Sequence, residues 1–216
     1  WLTVPAAAIL AVLHVPIVRL LFQRGDFDAE ALRLTGRALL FYTPGAVGLA
    51  GAEIVIRTFY AMEDTRTPVV VGVLTIVLNG ILAWSLISYW QRDIGLIALS
   101  YSITNVIEFV VLFALLAGRL HGFEAGQLTR SALALVGGTI ALALVLIGGT
   151  WLSLPYVPGI AIDSAYGQGA DFFLLAGWLA VVSLLGLGVY VAMGMLLGAP
   201  EVRELWSLVR RRRHAS

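Results

Sequence analysis

The sequence has no cysteine, no lysine and few charged residues of any kind. The missing cysteines exclude a disulfide framework and a thiolate metal site. Charged residues make up 12% of the 216 positions and hydrophobic residues 60%, against roughly 25% and 45–50% in ordinary globular domains. Such a sequence lacks the polar surface of a soluble enzyme, a secreted scaffold or a disordered tail. It predicts an all-α, polytopic membrane protein.

Six segments are long and apolar enough to cross a bilayer, which takes about 20 residues per helix. They must be helical because lipid offers no partner to backbone N–H and C=O groups. The chain begins at Trp1, inside an apolar run, without a methionine or a signal peptide, so we expect a fragment of a longer protein. The predicted spans cover residues 1–22, 38–61, 69–90, 94–118, 131–154 and 172–198.

Two loops carry helix-start signals, and the second span carries a helix-breaking pair. Asp28 is predicted to cap the helix that begins at Ala29. Thr67 suits the N-cap of the third span, with Pro68 at the first helical position, where its missing N–H costs nothing. Pro44 and the adjacent Gly45 predict a kink or hinge inside the second span.

Arginine placement predicts the orientation, because cytoplasmic loops are enriched in basic residues. The tail, residues 201–216, carries Arg210–Arg213, whereas the longest loop, residues 155–171, carries no basic residue. This bias places the C-terminus in the cytoplasm. An apolar face precedes the arginines, as in an interfacial helix bound to anionic lipids; a plain topology anchor is the other interpretation. That face consists of Val202, Leu205, Trp206 and Val209.

Glu53 and Arg57 form the most informative charged pair, because they lie on one helix face inside the second span. Ionisable residues inside a membrane are costly and usually face a cavity or a partner. The pair is therefore a candidate contact for a substrate or ion in a polar cavity. The alternative is an intrahelical ion pair near the cytoplasmic end that serves only helix insertion.

Glu108 is the single acid of the fourth span and has no basic residue three or four positions away. Such an acid should protonate or face water. Glu108 is therefore a candidate coupling site, and the alternative is a structural acid hydrogen-bonded to a neighbouring helix.

Asn79 is the most polar residue of the third span, and small polar residues punctuate the fourth. Their uncharged oxygens could bind a hard cation or hydrogen-bond between helices, which is the commoner outcome. The residues of the fourth span are Ser100, Ser102, Thr104 and Asn105.

Sequence signatures of catalysis are missing: the three histidines are isolated, and no metal-protease, nucleophile-elbow or phosphate-loop motif occurs. We therefore expect a protein that is not an enzyme, and no nucleic-acid partner.

Two loop motifs resemble those of the MurJ/MviN family of lipid II flippases, within the wider MOP flippase superfamily. The first runs from Leu21 to Asp28 as LFQRGDFD, and the second from Arg57 to Pro68 as RTFYAMEDTRTP. Either motif alone is modest evidence, but both in this order and at this spacing are specific. Their marked residues are Arg24, Gly25, Phe27, Tyr60, Asp64, Thr65 and Pro68.

The resemblance implies helices nine to fourteen of a fourteen-helix transporter. Residues 1–120 would form part of the second lobe, residues 121–200 two additional helices with a lipid-tail groove, and residues 201–216 the tail. The family moves undecaprenyl-linked peptidoglycan precursor to the outer leaflet of the bacterial inner membrane by alternating access. Lipid II and the missing N-terminal lobe are then the implied partners, alongside anionic lipids at the tail.

By resemblance, Glu53, Arg57 and Glu108 would line or gate the cavity. The loop 64–68 would act as a cytoplasmic hinge, and the loop 24–27 as an outer one. Some family members bind sodium, and Asn79 and Ser100 resemble two of the ligands. A carboxylate expected one turn after Asn79 is replaced by Ala83. The alternatives are another exporter of the superfamily, for O-antigen, polysaccharide or drugs, or a non-transporting structural subunit.

The predicted topology can be tested with a cysteine introduced near Gly159, because the chain contains no other cysteine. We expect an impermeant thiol reagent to label it from outside the cell. Labelling only after lysis would overturn the orientation.

Overall fold

Helices account for all the regular structure in this computed structural model, which describes residues 2–22, 28–89, 95–119, 125–162, 166–167 and 169–197, with the backbone alone over 125–130. Five of the helices are long and apolar enough to cross a membrane, and a sixth span is possible if α1 and α2 are taken together. The all-α, polytopic prediction is confirmed. The helices of this described part are α1 (Thr3–Val12), α2 (His14–Phe22), α3 (Ala29–Ala61), α4 (Arg66–Tyr89), α5 (Gly95–Arg119), α6 (Ala125–Ser153) and α7 (Ala170–Leu196).

The first predicted span, residues 1–22, is not one continuous helix, because the helical backbone is interrupted at Leu13. Pro16 explains the break. It has no N–H to donate to the carbonyl of Val12, four residues earlier, and its ring would clash with that carbonyl. α1 accordingly ends at Val12, and α2 begins with Pro16 in its first turn.

The other five spans occur within three residues of their predicted limits, except that α3 begins nine residues earlier than the span 38–61 and α6 six residues earlier than the span 131–154. The start of α3 follows from its cap. Asp28 has an extended backbone, and its Oδ1 accepts a hydrogen bond of 2.8 Å from the N–H of Ala31. The predicted capping role of Asp28 is confirmed.

Helices α2 to α5 form one compact unit. Its central contact is between α3 and α5, which run parallel, since Gly45 meets Ser102 and Gly51 meets Phe109. α4 runs in the opposite direction along α5, where Asn79 meets Ser100. Nearer the C-terminal ends of α3 and α5 lies a buried apolar cluster, which α4 joins near its start. It consists of Ala52, Val55, Phe59, Val71, Leu112 and Leu116.

Helices α1, α6 and α7 form the other compact unit. α6 and α7 approach closely where one helix offers a glycine to a large side chain of the other. Gly138 lies against the ring of Tyr190, and Gly186 lies against Leu142 and Leu146. Neither helix carries a charge between residues 131 and 153 or between 172 and 196. The assignment of these helices to a lipid-tail groove stays a prediction.

The conformation of the loop after α6 determines which residue should be replaced by cysteine in the topology experiment. Gly159 has a φ of 89°, a conformation in which a cysteine would be strained. Tyr156, three residues earlier, has 81% of its surface exposed and is the better position for the cysteine.

Candidate functional site

One face of α3 carries the candidate charged pair together with two tyrosines. Tyr42, Leu49, Glu53, Arg57 and Tyr60 are spaced by seven, four, four and three residues, which places them on one side of a helix. All five are exposed in this chain. We call this face the α3 stripe.

The exposed surface of α4 has a different character. Between Val69 and Tyr89 it presents aliphatic and aromatic side chains and no charge. Only 6% of its most apolar stretch is buried inside the structure. This composition suits contact with lipid tails, whereas the ionisable and phenolic groups of the α3 stripe suit water or a polar partner. Its main exposed side chains are Val69, Val73, Leu74, Ile76, Val77, Ile81 and Trp84.

Glu53 and Arg57 approach one another at the limit of an ion pair. Oε2 of Glu53 lies 4.0 Å from a guanidinium nitrogen of Arg57, and their side chains are 60% and 81% exposed. A pair this open leaves most hydrogen-bonding positions of both groups available to another molecule. The geometry is compatible with a cavity contact and with a pair that serves insertion alone.

The α3 stripe continues onto the neighbouring helix through an aromatic contact. The rings of Tyr42 and Tyr101 stack with their centroids 4.6 Å apart and their planes within 8°. Tyr101 belongs to α5, so α5 also contributes to the polar side of this unit.

Glu108 lies in a different place, half-buried on the side of α5 that faces α4. A Cβ built on Gly72 of α4 would lie 3.8 Å from its Oε1. The absent side chain at Gly72 therefore leaves room for the carboxyl group between the two helices. The structure does not bring Glu108 together with the Glu53–Arg57 pair.

Asn79 and Ser100 do come together. The Ser100 hydroxyl donates a hydrogen bond of 3.0 Å to Oδ1 of Asn79, and it also lies 2.9 Å from the carbonyl of Ile97. Ser100 is fully buried. The pair acts as a hydrogen bond between α4 and α5. Two neutral oxygens, already bonded to each other and with Ala83 where a carboxylate is expected, do not by themselves fit a sodium site.

The motif loop between α3 and α4 is built around a left-handed residue and a capping aspartate. Glu63 has a φ of 60°, and the N–H groups of Glu63 and Asp64 bond to the carbonyls of Tyr60 and Phe59, which completes a Schellman motif. The carboxylate of Asp64 then accepts from the N–H groups of Arg66 and Thr67, at 3.0 Å each. One short segment thus ends α3 and starts α4.

Arg119, at the end of α5, binds this loop through Asp64 and Thr67. Its guanidinium lies 2.5 Å from Oδ2 of Asp64 and 3.1 Å from the Thr67 hydroxyl, which itself donates to Asp64 at 2.6 Å. It also lies over the ring of Phe59 at 5.3 Å. The hydrogen bonds from Thr67 and, after them, the hydrogen bond and charge of Arg119 hold the pKa of Asp64 well below its ordinary value. We call these contacts the Asp64 lock.

The Asp64 lock corrects the predicted N-cap. α4 begins at Arg66, before Thr67, because the carboxylate of Asp64 and not the hydroxyl of Thr67 takes the first free N–H groups of the helix. Pro68 still falls in the first turn and is buried. Tyr60 and Thr65 are exposed. The hinge role predicted for residues 64–68 stays a prediction.

The outer motif residues Arg24, Gly25 and Phe27 lie outside the described residues, as does the tail 201–216. Their predicted roles therefore stay predictions.

Several contacts were missed by sequence reasoning. Arg119 is 55 residues from Asp64, and no local pattern links the two. Ser102 stands out in the sequence only as a polar residue, but its hydroxyl bonds to the backbone of α3. Arg19, in α2, is only 2% exposed. Asp64 itself is a local signal, since an aspartate just before a helix commonly accepts hydrogen bonds from its first N–H groups.

Known proteins of one family match this chain over most of its length. A protein-family model described as "Lipid II flippase MurJ" matches residues 1–166. A "Probable lipid II flippase MurJ" of Rhizobium meliloti (strain 1021) is 30% identical over the whole chain, and that of Rhizobium tropici 27% identical. A protein of the same description from Synechocystis is 31% identical over 62% of the chain and 25% of its own length. The chain spans about 38% of the length of the two Rhizobium relatives.

The Asp64 lock predicts a pH-dependent contribution to stability. Asp64→Asn should lower the thermal midpoint of the purified protein at pH 7, because the amide cannot accept all the bonds of the carboxylate. Since the pKa of Asp64 is lowered by folding, its stabilisation is complete above the unfolded value of about 3.9 and is lost as the pH falls below it. The difference between the two proteins should therefore be constant above about pH 5 and shrink below pH 4.

The neighbouring Glu63→Gln is the matched control, because it removes a carboxylate one position away from the lock. It should lower the midpoint less than Asp64→Asn does. Equal effects of the two substitutions, or a difference that grows as the pH falls, would contradict the role given to Asp64.

Proposed function

The chain belongs to the MurJ family of lipid II flippases, and from this membership we propose that it forms part of a lipid II transporter. The transporter moves the lipid-linked peptidoglycan precursor from the inner to the outer leaflet and so supplies cell-wall synthesis. It makes and breaks no bond in its cargo and is not an enzyme. The remaining length of the protein completes the path, since this chain spans about 38% of its Rhizobium relatives.

The α3 stripe is the observation that carries the proposal. A polar head group must cross about 30 Å of hydrocarbon, which requires a continuous polar surface. The stripe supplies one, because Glu53 and Arg57 lie on an exposed face of a membrane-spanning helix with Tyr42 and Tyr60. A charge at the bilayer centre costs about 2.5–3.5 kcal/mol, so ionisable residues of membrane helices usually face a cavity or a partner.

Each group of the stripe has a distinct role in this proposal. The guanidinium of Arg57 binds anionic groups of the cargo through paired N–H donors. The carboxylate of Glu53 accepts hydrogen bonds from cargo hydroxyl and amide groups, and it keeps the charge of Arg57 balanced when no cargo is bound. Glu108, across α5, is a second acid that gates the cavity from the α4 side.

The transporter works by alternating access in the bacterial inner membrane, with the C-terminus in the cytoplasm. The arginine-rich tail supports this orientation, because positive charge is retained on the cytoplasmic side. The tail also binds anionic lipids. Sodium coupling through Asn79 and Ser100 stays a prediction, because these two oxygens alone do not complete a site for that ion.

Substitution of either charged residue of the stripe tests the proposal. The protein at its natural length, carrying Glu53→Ala or Arg57→Ala, should fail to rescue cells depleted of their own lipid II flippase. Loss of a hydrogen bond to a charged group corresponds to about 1.5–3 kcal/mol, so transport should fall at least about tenfold. Growth after depletion and lipid II accumulation are the measurements, with membrane levels of each variant determined alongside.

A charge exchange separates the cavity role from helix insertion. Glu53→Arg combined with Arg57→Glu keeps one acid and one base four residues apart, so a pair that serves insertion alone would remain functional. We expect it to fail while inserting normally. Glu30→Ala, which removes an exposed acid from the first turn of the same helix, should rescue fully. Rescue by the exchanged pair would refute the substrate contact.

A further inference from the structure

Pro44 interrupts the backbone hydrogen bonds of α3 near its middle. A proline has no N–H, so the carbonyl of Leu40, four residues earlier, loses its usual partner. The hydroxyl of Thr43 donates to that carbonyl at 2.8 Å. The first bond broken by the proline is therefore replaced from within α3.

The next hydrogen bond along α3 is replaced from another helix. In an uninterrupted helix the N–H of Gly45 would pair with the carbonyl of Phe41. Here the N–H of Gly45 donates to the hydroxyl of Ser102 at 2.9 Å, and the same hydroxyl donates to the carbonyl of Phe41. A side chain of α5 is thus inserted into the backbone bonding of α3.

Close packing makes this insertion possible. A Cβ on Gly45 would lie 2.6 Å from the Ser102 hydroxyl and 2.7 Å from its Cα, so no larger residue fits there without displacement. Gly48, one turn later, comes equally close to the backbone of Asn105 and Val106. Ser102 itself is 3% exposed.

The two halves of α3 are buried on different faces. Before Pro44, the buried residues are Leu32, Gly36 and Thr43, and Gly36 lies against His14 of α2. After Pro44, Gly48, Ala52, Val55 and Phe59 are buried, and the last three share a core with α5. The Pro44–Ser102 junction lies between these two differently packed halves.

We propose that Ser102 is a positioning residue that fixes the direction of α3 at Pro44 through its bonds to Gly45 and Phe41. Without the hydroxyl, the N–H of Gly45 would bond directly to the carbonyl of Phe41, as in an uninterrupted helix. Both groups would then keep a partner, so the loss of the hydroxyl changes the direction of α3 without leaving a polar group unsatisfied in lipid.

Distance measurements between spin labels test this positioning role, with cysteines placed at Arg33 and Ile97, both exposed. Arg33 precedes Pro44 by eleven residues, about 17 Å of helix, so a change of about 20° moves its label by about 6 Å. In the protein at its natural length, with any cysteine elsewhere replaced, Ser102→Ala should shift or broaden the distance distribution by that amount. In the Pro44→Ala background, where α3 closes its own bonds, Ser102→Ala should have no further effect.

Ser100→Ala is the matched control, because it removes a buried hydroxyl from the same helix that bonds to α4 and not to α3. It should leave the distribution unchanged. An unchanged distribution in Ser102→Ala, an equal shift in Ser100→Ala, or the same effect in both backgrounds would overturn the proposal. If Ser102→Ala alone does not fold, the Pro44→Ala combination should restore folding, and failure to do so would also overturn it. No transport is measured, so the result is independent of the proposed function.

Discussion

The close approach of α3 and α5 is the contact on which the rest of this unit depends. Gly45, Gly48 and Gly51 bring the two backbones together, and each would place a Cβ within 3 Å of an atom of α5. Helices in lipid gain little from burying apolar surface against one another, so packing of this kind and hydrogen bonds between helices hold them together. The parallel alignment that results also places Arg119 over the loop that joins α3 to α4, where it completes the Asp64 lock.

The same contact determines which side of α3 remains available. Because the glycine face is covered by α5, the α3 stripe with Glu53 and Arg57 stays exposed, on a helix whose sequence is otherwise apolar enough to span the membrane. α4, by contrast, exposes no charged group between Val69 and Tyr89. A small set of charges thus gives the α3 stripe a polar character that the exposed surface of α4 between Val69 and Tyr89 does not have.

Much of this fold could be predicted from sequence, because apolar length and local capping chemistry decide it. The five long spans and the Asp28 cap follow from such local signals. The break at Leu13 does not follow from composition, because residues 1–22 form one apolar run. Pro16 is the local signal for it. A hydroxyl suits an N-cap, which favours Thr67 in the sequence, but the carboxylate of Asp64 accepts from the first N–H groups of α4.

The candidate site could be predicted only in part. Glu53, Arg57 and Glu108 stand out because charge is rare in a span, and Asn79 and Ser100 were paired through the family resemblance. Which face of α3 is covered, and the partners of Arg119 and Ser102, depend on residues more than 50 positions apart, which no local pattern encodes.

Cysteine reactivity measures directly whether the α3 stripe faces water while the exposed side of α4 faces lipid. Leu49 and Val77 are both exposed aliphatic residues near the middle of their helices, one on the stripe and one on α4. A hydrophilic thiol reagent should modify Leu49→Cys at least about tenfold faster than Val77→Cys, because thiolate forms in water and scarcely in lipid. Equally slow modification of the two would contradict the account.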